Sequence, residues 1–350
     1  MRPGEGVVVV RQIWITRAGP PEVLRVIEAA DPAPNAGEVR IRVEASGVNF
    51  ADIMGRMGVY PDLPPIPVVP GYEVSGRIDA VASGVDQSWI GQDVVAMTRF
   101  GGYADVVCVP VKQIFPRPAG LSALEGAAIP VNYLTAWQLV VVMGALKANE
   151  TVLIHSVGGG VGIAATQIAR HVGARVIGTA SAGKHDEMRA LGVDHLIDYR
   201  TEDFETRTRE ITDGRSWCRA DPRRGRWQVL EKRIPRACPH RPDGDVWRFF
   251  AGERQGTQYP VHAFHACQHT MVSVQPASSH EREQRCIRRK CRPYVGRDRS
   301  PAGWGEALME LAARGIFRPK VAASFKFDDA AKTHHFIQDR RNIGKVLLVP

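Results

Sequence analysis

The architecture turns on Thr151-Val152-Leu153-Ile154-His155-Ser156-Val157-Gly158-Gly159-Gly160-Val161-Gly162. Its first residues are an apolar run of strand length. The glycines then make a tight turn, and a small-residue helix is expected from Ile163 to His171. Within the turn, Ser156-x-x-Gly159-x-x-Gly162 puts glycine where a backbone must bend sharply and where a pyrophosphate must approach bare amides. A helix N-terminus directly behind the turn adds oriented N–H groups and partial positive charge. Ser156, Gly159, Gly160, Val161 and Gly162 are therefore candidate dinucleotide ligands. A glycine motif in strand–turn–helix context is far more specific than the glycines alone. The competing reading is a plain tight turn.

Strand and helix keep alternating downstream. Arg175-Val176-Ile177-Gly178-Thr179 reads as a second strand, Lys184 to Leu191 as a helix ending at Gly192, and His195-Leu196-Ile197-Asp198-Tyr199 as a third strand. This spacing means βαβ units and a parallel sheet. The end of the second strand selects the cofactor. A site for NADH carries an Asp or Glu there for the ribose hydroxyl. Here Ala180-Ser181-Ala182-Gly183-Lys184 offers a hydroxyl and an ammonium, with no acid before Asp186. That chemistry favours NADPH. The alternative is that Ser181 caps the helix and Lys184 is simply solvated.

Upstream, about Arg11 to Pro118 reads as short strands. Val39-Arg40-Ile41-Arg42-Val43 alternates with period two, and Gly/Pro clusters punctuate the segment. Leu121 to Lys147 reads as helical, with Ser122 and Glu125 at capping-box spacing. Val7–Val10 is either a first strand or part of an extension. No apolar run approaches the ~20 residues of a membrane helix. The longest candidates, such as Leu139-Val140-Val141-Val142-Met143, are short and strand-like. No secretory leader is evident at the start, so a cytoplasmic location is expected.

The chain has 350 residues and a formal charge of +9. That charge is local. Arg215–Ser300 holds 19 Lys+Arg against 8 Asp+Glu, whereas the remainder holds 27 against 29. Five of the six cysteines lie in the same window. In the window after Asp213-Gly214 neither helical nor strand period is sustained, and 17 arginines break up the apolar runs. A parallel sheet needs nearly continuous apolar central strands, and none is expected in this window. Periodicity returns near Gly303, with a helix at Leu308–Ala313 and a strand at Lys345–Val349.

Several motifs occur in one order: Gly47-Val48-Asn49-Phe50-Ala51-Asp52, Gly58-Val59-Tyr60, Pro70-Gly71-Tyr72-Glu73, Val131-Asn132-Tyr133-Leu134-Thr135-Ala136, the glycine loop, and the ending Ile337 to Pro350. Together they resemble the medium-chain dehydrogenase/reductase superfamily, and more closely its zinc-free quinone oxidoreductase branch, near the vesicle amine transport protein homologues. The resemblance covers roughly residues 11–214 and 303–350. It implies an α/β fold with a GroES-like β-rich catalytic domain over 11–125 and 305–350. A Rossmann-type nucleotide domain over 126–304 would be inserted into it, incomplete after residue 214. The active site would be the cleft between the two.

Zinc-dependent relatives carry cysteine where Asn49 stands and histidine where Tyr72 stands. An amide and a phenol do not replace thiolate and imidazole on zinc, so no catalytic zinc is expected. By resemblance, Asn49 and Thr135 lie near the nicotinamide, and Tyr60 donates a hydrogen bond to the substrate carbonyl. Ser181, Lys184 and Tyr199 surround the 2′-phosphate. Two structural alternatives stay open: an aromatic packing role for Tyr60 and a turn amide for Asn49. The implied activity is NADPH-dependent reduction of quinones or α,β-unsaturated carbonyls. The alternative is an inactive relic with a residual nucleotide site.

The branch continues after Gly214 with further sheet strands, and this sequence does not. Arg215 to about Pro301 reads as a segment translated out of frame. His240 to Phe250 can be encoded so that the +1 frame gives T-G-R-M-V-M-F-G-A-S-S, a turn followed by an apolar strand. The window is therefore expected to pack poorly. The family homodimer, which uses an edge strand from this portion, is left in doubt. His262, His265, Cys267 and His269 are dense but fit no usual zinc spacing. The arginines lack the interleaved aromatics of a nucleic-acid arm, so no nucleic-acid partner is expected.

Overall fold

The computed structural model describes residues 9–213, 218–221, 226–229 and 301–350, with side chains for 9–213 and 303–350. The expectations for residues 1–8, for His240 to Phe250 and for the histidine-rich cluster lie outside the described residues.

The first half is built from strands. β1 (Val9–Ile15) and β2 (Leu24–Ala30) form an antiparallel pair. The N-terminal run of valines is thus part of a strand from Val9 onward. β3 (Glu38–Val48) leads into the short helix α1 (Phe50–Arg56). β4 (Glu73–Val81), β5 (Asp93–Met97), β6 (Val106–Pro110) and β7 (Ile114–Pro116) follow. Alternation in β3 buries Val39, Ile41 and Val43 against Val74, Ile78 and Val94. Each such side chain contributes roughly 1.5–3 kcal/mol by leaving water.

The expected helix from Leu121 to Lys147 is broken into pieces. α2 (Ala123–Ala127) opens with the anticipated capping box, in which Glu125 accepts from the Ser122 N–H at 2.8 Å. α3 (Pro130–Trp137) begins at a proline, which has no N–H to continue a preceding helix. Gln138–Met143 then widens into a π-helical turn, closed by Gly144 N–H on the Leu139 carbonyl at 3.0 Å. The strand-like reading of Leu139–Met143 is therefore corrected. Its β-branched residues are consistent with either state, and position after α3 decides.

β8 (Thr151–Ile154), α4 (Gly160–Val172), β9 (Arg175–Ala180), α5 (His185–Ala190), β10 (His195–Asp198) and α6 (Phe204–Ile211) form the expected βαβ units. The parallel sheet runs β10-β9-β8, then β11 (Cys218–Asp221) and β12 (Arg226–Val229). β11 is parallel to β8, with Cys218 opposite Val152, and β12 is antiparallel to β11. Two four-residue strands thus lie in the arginine-rich window, where no apolar central strand is expected. A ladder is made by backbone groups, so a tetrapeptide containing Arg219 can join it although no apolar run marks it.

α7 (Pro301–Ala313) packs Leu308, Met309 and Leu311 into the same core as Tyr133, Trp137, Ile154 and Ile168. β13 (Val321–Lys326), α8 (Ala330–Gln338) and β14 (Lys345–Val349) close the described chain. β13 and β14 return to the first sheet, giving the order β13-β14-β3-β4-β5-β7 with β6 also on β3. The parallel sheet is thus inserted before the last strands of the first one.

Candidate active site

The glycine loop is shaped by contacts that admit no side chain. Ser156 sits at φ +53, and the Gly159 N–H returns to its carbonyl at 2.8 Å. A Cβ on Gly162 would lie 2.5 Å from the Ser156 carbonyl oxygen and 2.7 Å from Val157 Cα. A Cβ on Gly160 would lie 2.3 Å from the Asn132 amide nitrogen. Strand, loop and α3 therefore close tightly around α4's first turn. That turn has no side-chain cap and no acid in it. Val161 is half-buried within it. The N–H groups and positive dipole end of a helix's first turn suit a pyrophosphate.

Beyond β9 the loop is flanked by cations. Ser181 stands at the start of a single 3-10 turn but makes no side-chain cap, so the capping alternative does not hold. Lys184 Nζ donates to the Arg340 carbonyl at 2.7 Å and the Asn342 carbonyl at 2.6 Å. This ammonium is anchored and not merely solvated. Arg340 donates to the Tyr199 hydroxyl at 3.4 Å, its guanidinium 5.8 Å from the ring centroid. Burial works to raise the Tyr199 pKa, but hydrogen bonds from Arg340 and Arg200 outweigh it and lower the phenol. Ser181, Lys184 and Tyr199 thus share one edge, and Arg340 joins them. Sequence reasoning missed Arg340, whose place depends on a loop 141 residues from Tyr199.

On the first sheet, Asn49 ends β3 and precedes α1. Asp52 accepts from the Asn49 N–H at 2.7 Å, from Gly71 N–H at 3.1 Å and from the Tyr103 hydroxyl at 3.1 Å. Burial pushes the Asp52 carboxyl up to about 7, against the pull of those donors. The Asn49 side chain donates to Glu73 Oε1 at 3.0 Å and accepts from Lys345 Nζ at 2.6 Å. Glu73 and Lys345 are both buried and paired. Neither was singled out from sequence. A lysine opening the apolar run Lys345–Val349 was the available signal, because buried lysines are almost always paired.

Tyr60 meets Tyr72 edge-on at 6.3 Å between centroids, and Tyr72 packs on Phe100 at 5.1 Å. Tyr60 thus has the packing role as well as a half-exposed position. Burial, with the neighbouring Tyr60 hydroxyl, pushes the Tyr72 phenol well above its ordinary range. Thr135 lies half-buried one helical turn beyond Asn132, on the α3 face that reaches Gly160. The two halves meet directly: Gly344 donates its N–H to the Gly158 carbonyl at 2.9 Å. Among the described residues no group of three or more His, Cys, Asp or Glu is arranged to hold a metal. No helix among them is long and apolar enough to cross a membrane.

Residues 35–119 match the alcohol dehydrogenase GroES-like domain family, and residues 160–217 the zinc-binding dehydrogenase family. The second match ends where the arginine-rich window begins. The synaptic vesicle membrane protein VAT-1 homolog of Rattus norvegicus is 34% identical over 324 residues, covering 92% of this chain and 79% of its own. The chain belongs to the medium-chain dehydrogenase/reductase superfamily. Within that superfamily it falls in the zinc-free quinone oxidoreductase-like branch. The crystal structure of the human VAT-1 homolog-like protein superposes with a TM-score of 0.72 at 25% identity, covering 98% of each chain. The Escherichia coli quinone oxidoreductase complexed with NADPH superposes at 0.71 and 27% identity, covering 97% of this chain and 100% of that one.

Proposed function

We propose that this oxidoreductase uses NADPH to reduce quinones or α,β-unsaturated carbonyls without a metal. The observation that carries the reading is the edge beyond β9. There Ser181, Lys184, Tyr199 and Arg340 gather, and no carboxylate stands at the strand end. An anion at the ribose 2′ position would find charge-assisted donors there, whereas a bare hydroxyl would lack its usual acceptor.

Bound NADPH would supply a hydride. The chain's own residues bind, orient and polarise. The amides of Gly160, Val161 and Gly162 hold the pyrophosphate. Asn49 and Thr135 flank the nicotinamide. The Tyr60 hydroxyl donates to the substrate carbonyl and stabilises the negative charge that develops on its oxygen. A metal is ill suited to this donor set. The Asn49 amide is spent on Glu73 and Lys345, and the Tyr72 phenol keeps its proton.

The test follows loss of reduced-nicotinamide absorbance with benzoquinone and with cyclohexenone. Y60F is expected to lower turnover roughly a hundredfold with little change in NADPH affinity. Prior treatment with a chelator is expected to leave turnover unchanged. Loss of activity restored by zinc would overturn the metal-free reading, and an unaffected Y60F would remove Tyr60 from the chemistry.

A further inference from the structure

One dipeptide, Gly344-Lys345 at the start of β14, touches both halves of the site. Gly344 is bonded to the Gly158 carbonyl of the glycine loop, and Lys345 sends its ammonium to Asn49 Oδ1 and Glu73 Oε1. The other Glu73 oxygen accepts from the Val131 N–H at 2.7 Å, in the first turn of α3. The room for Glu73 is built in: a Cβ on Gly47 would lie 2.4 Å from its Oε1. An ammonium cannot accept and a carboxylate cannot donate. The Asn49 amide therefore has a single orientation, oxygen toward Lys345 and nitrogen toward Glu73.

Stability does not explain this arrangement. Burying two charges costs several kcal/mol per ion, and apolar residues of similar volume commonly do as well or better. We propose that Lys345 is a positioning residue: with Glu73 it fixes the Asn49 amide and sets that amide's placement against the dinucleotide loop. Its kinetic consequence rests on the function proposed above. The fixing of Asn49 does not.

K345M and the double variant K345M/E73Q test it. K345M leaves the Glu73 carboxylate buried without its counter-charge, so it is expected to melt at lower temperature. The double variant removes both charges and is expected to regain stability. The amide carbonyl that E73Q introduces can still serve the Val131 N–H, which leaves only a donor facing Asn49, so the asparagine amide must turn. Turnover is expected to stay about a hundredfold below the unsubstituted protein, with NADPH affinity changed less than about threefold. A purely structural ion pair predicts that turnover returns together with the melting temperature, which would overturn the proposal.

A readout independent of activity is the Asn49 side-chain amide resonance in protein made with isotope-labelled asparagine. It is expected to be shifted and exchange-protected in the unsubstituted chain and changed in both variants. An unchanged resonance in the double variant overturns the proposal, whether or not any quinone or enone is reduced. A protein that binds no NADPH yet shows the expected amide change would instead refute only the proposed function.

Discussion

His334 shows how much one buried group can report. Its Nδ1 accepts from Arg56 Nε at 3.1 Å, so the ring proton is on Nε2. Burial, then the Arg56 charge, push its pKa from the usual histidine value down to about 3. The unfolded chain therefore binds a proton between pH 3 and 6.5 that the folded chain does not, and stability falls as pH drops through that window. Relative to H334Q, the unsubstituted protein is expected to lose about 2 kcal/mol between pH 7 and pH 5, read from urea midpoints. A constant gap would contradict a neutral, buried imidazole. Arg340 gives a second test at this scale. R340A is expected to weaken NADPH binding about tenfold and NADH binding little, because only the former presents a 2′-phosphate. Equal losses would place Arg340 away from that phosphate.

Among the elements, α4 depends on what cannot be added to it. G162A would drive a methyl into the Ser156 carbonyl and Val157 Cα, both backbone atoms that cannot swing aside. A loss of about 1–3 kcal/mol in unfolding free energy is expected, although alanine is the better helix former. A neutral or stabilising G162A would show that the loop is looser than described. The boundaries of β8, α4, β9 and β10 were legible to within a few residues, because apolar runs there are bounded by glycine and by polar turns. The break at Pro130 and the π turn after Trp137 were not. Hydrophobic period is similar on both sides of the break, and the widened turn depends on packing that local sequence does not encode. β11 escaped for a different reason, since it joins the sheet by backbone pairing with β8 and no apolar run marks it in the sequence.

At the scale of the whole molecule, the return of β13 and β14 to the first sheet makes the site. That return sets Gly344 on the glycine loop and Lys345 on Asn49, contacts joining residues 296 apart in the case of Lys345 and Asn49. Motif order and hydrophobic period pointed to two kinds of sheet and singled out the glycine loop between β8 and α4. The pairing of Glu73 with Lys345 and of Arg340 with Tyr199 was not readable, because neither partner has a local pattern that points to the other. The arginine-rich window from Arg215 to Ser300 follows β10 and α6 in the sequence, so the deciding property is whether the full chain takes up the dinucleotide. Fluorescence titration of the full chain with NADPH and NADH tests this most directly. Saturable binding of NADPH, at least about tenfold tighter than NADH, is the predicted result. Absence of saturable binding by either nucleotide, or a preference for NADH, would contradict it.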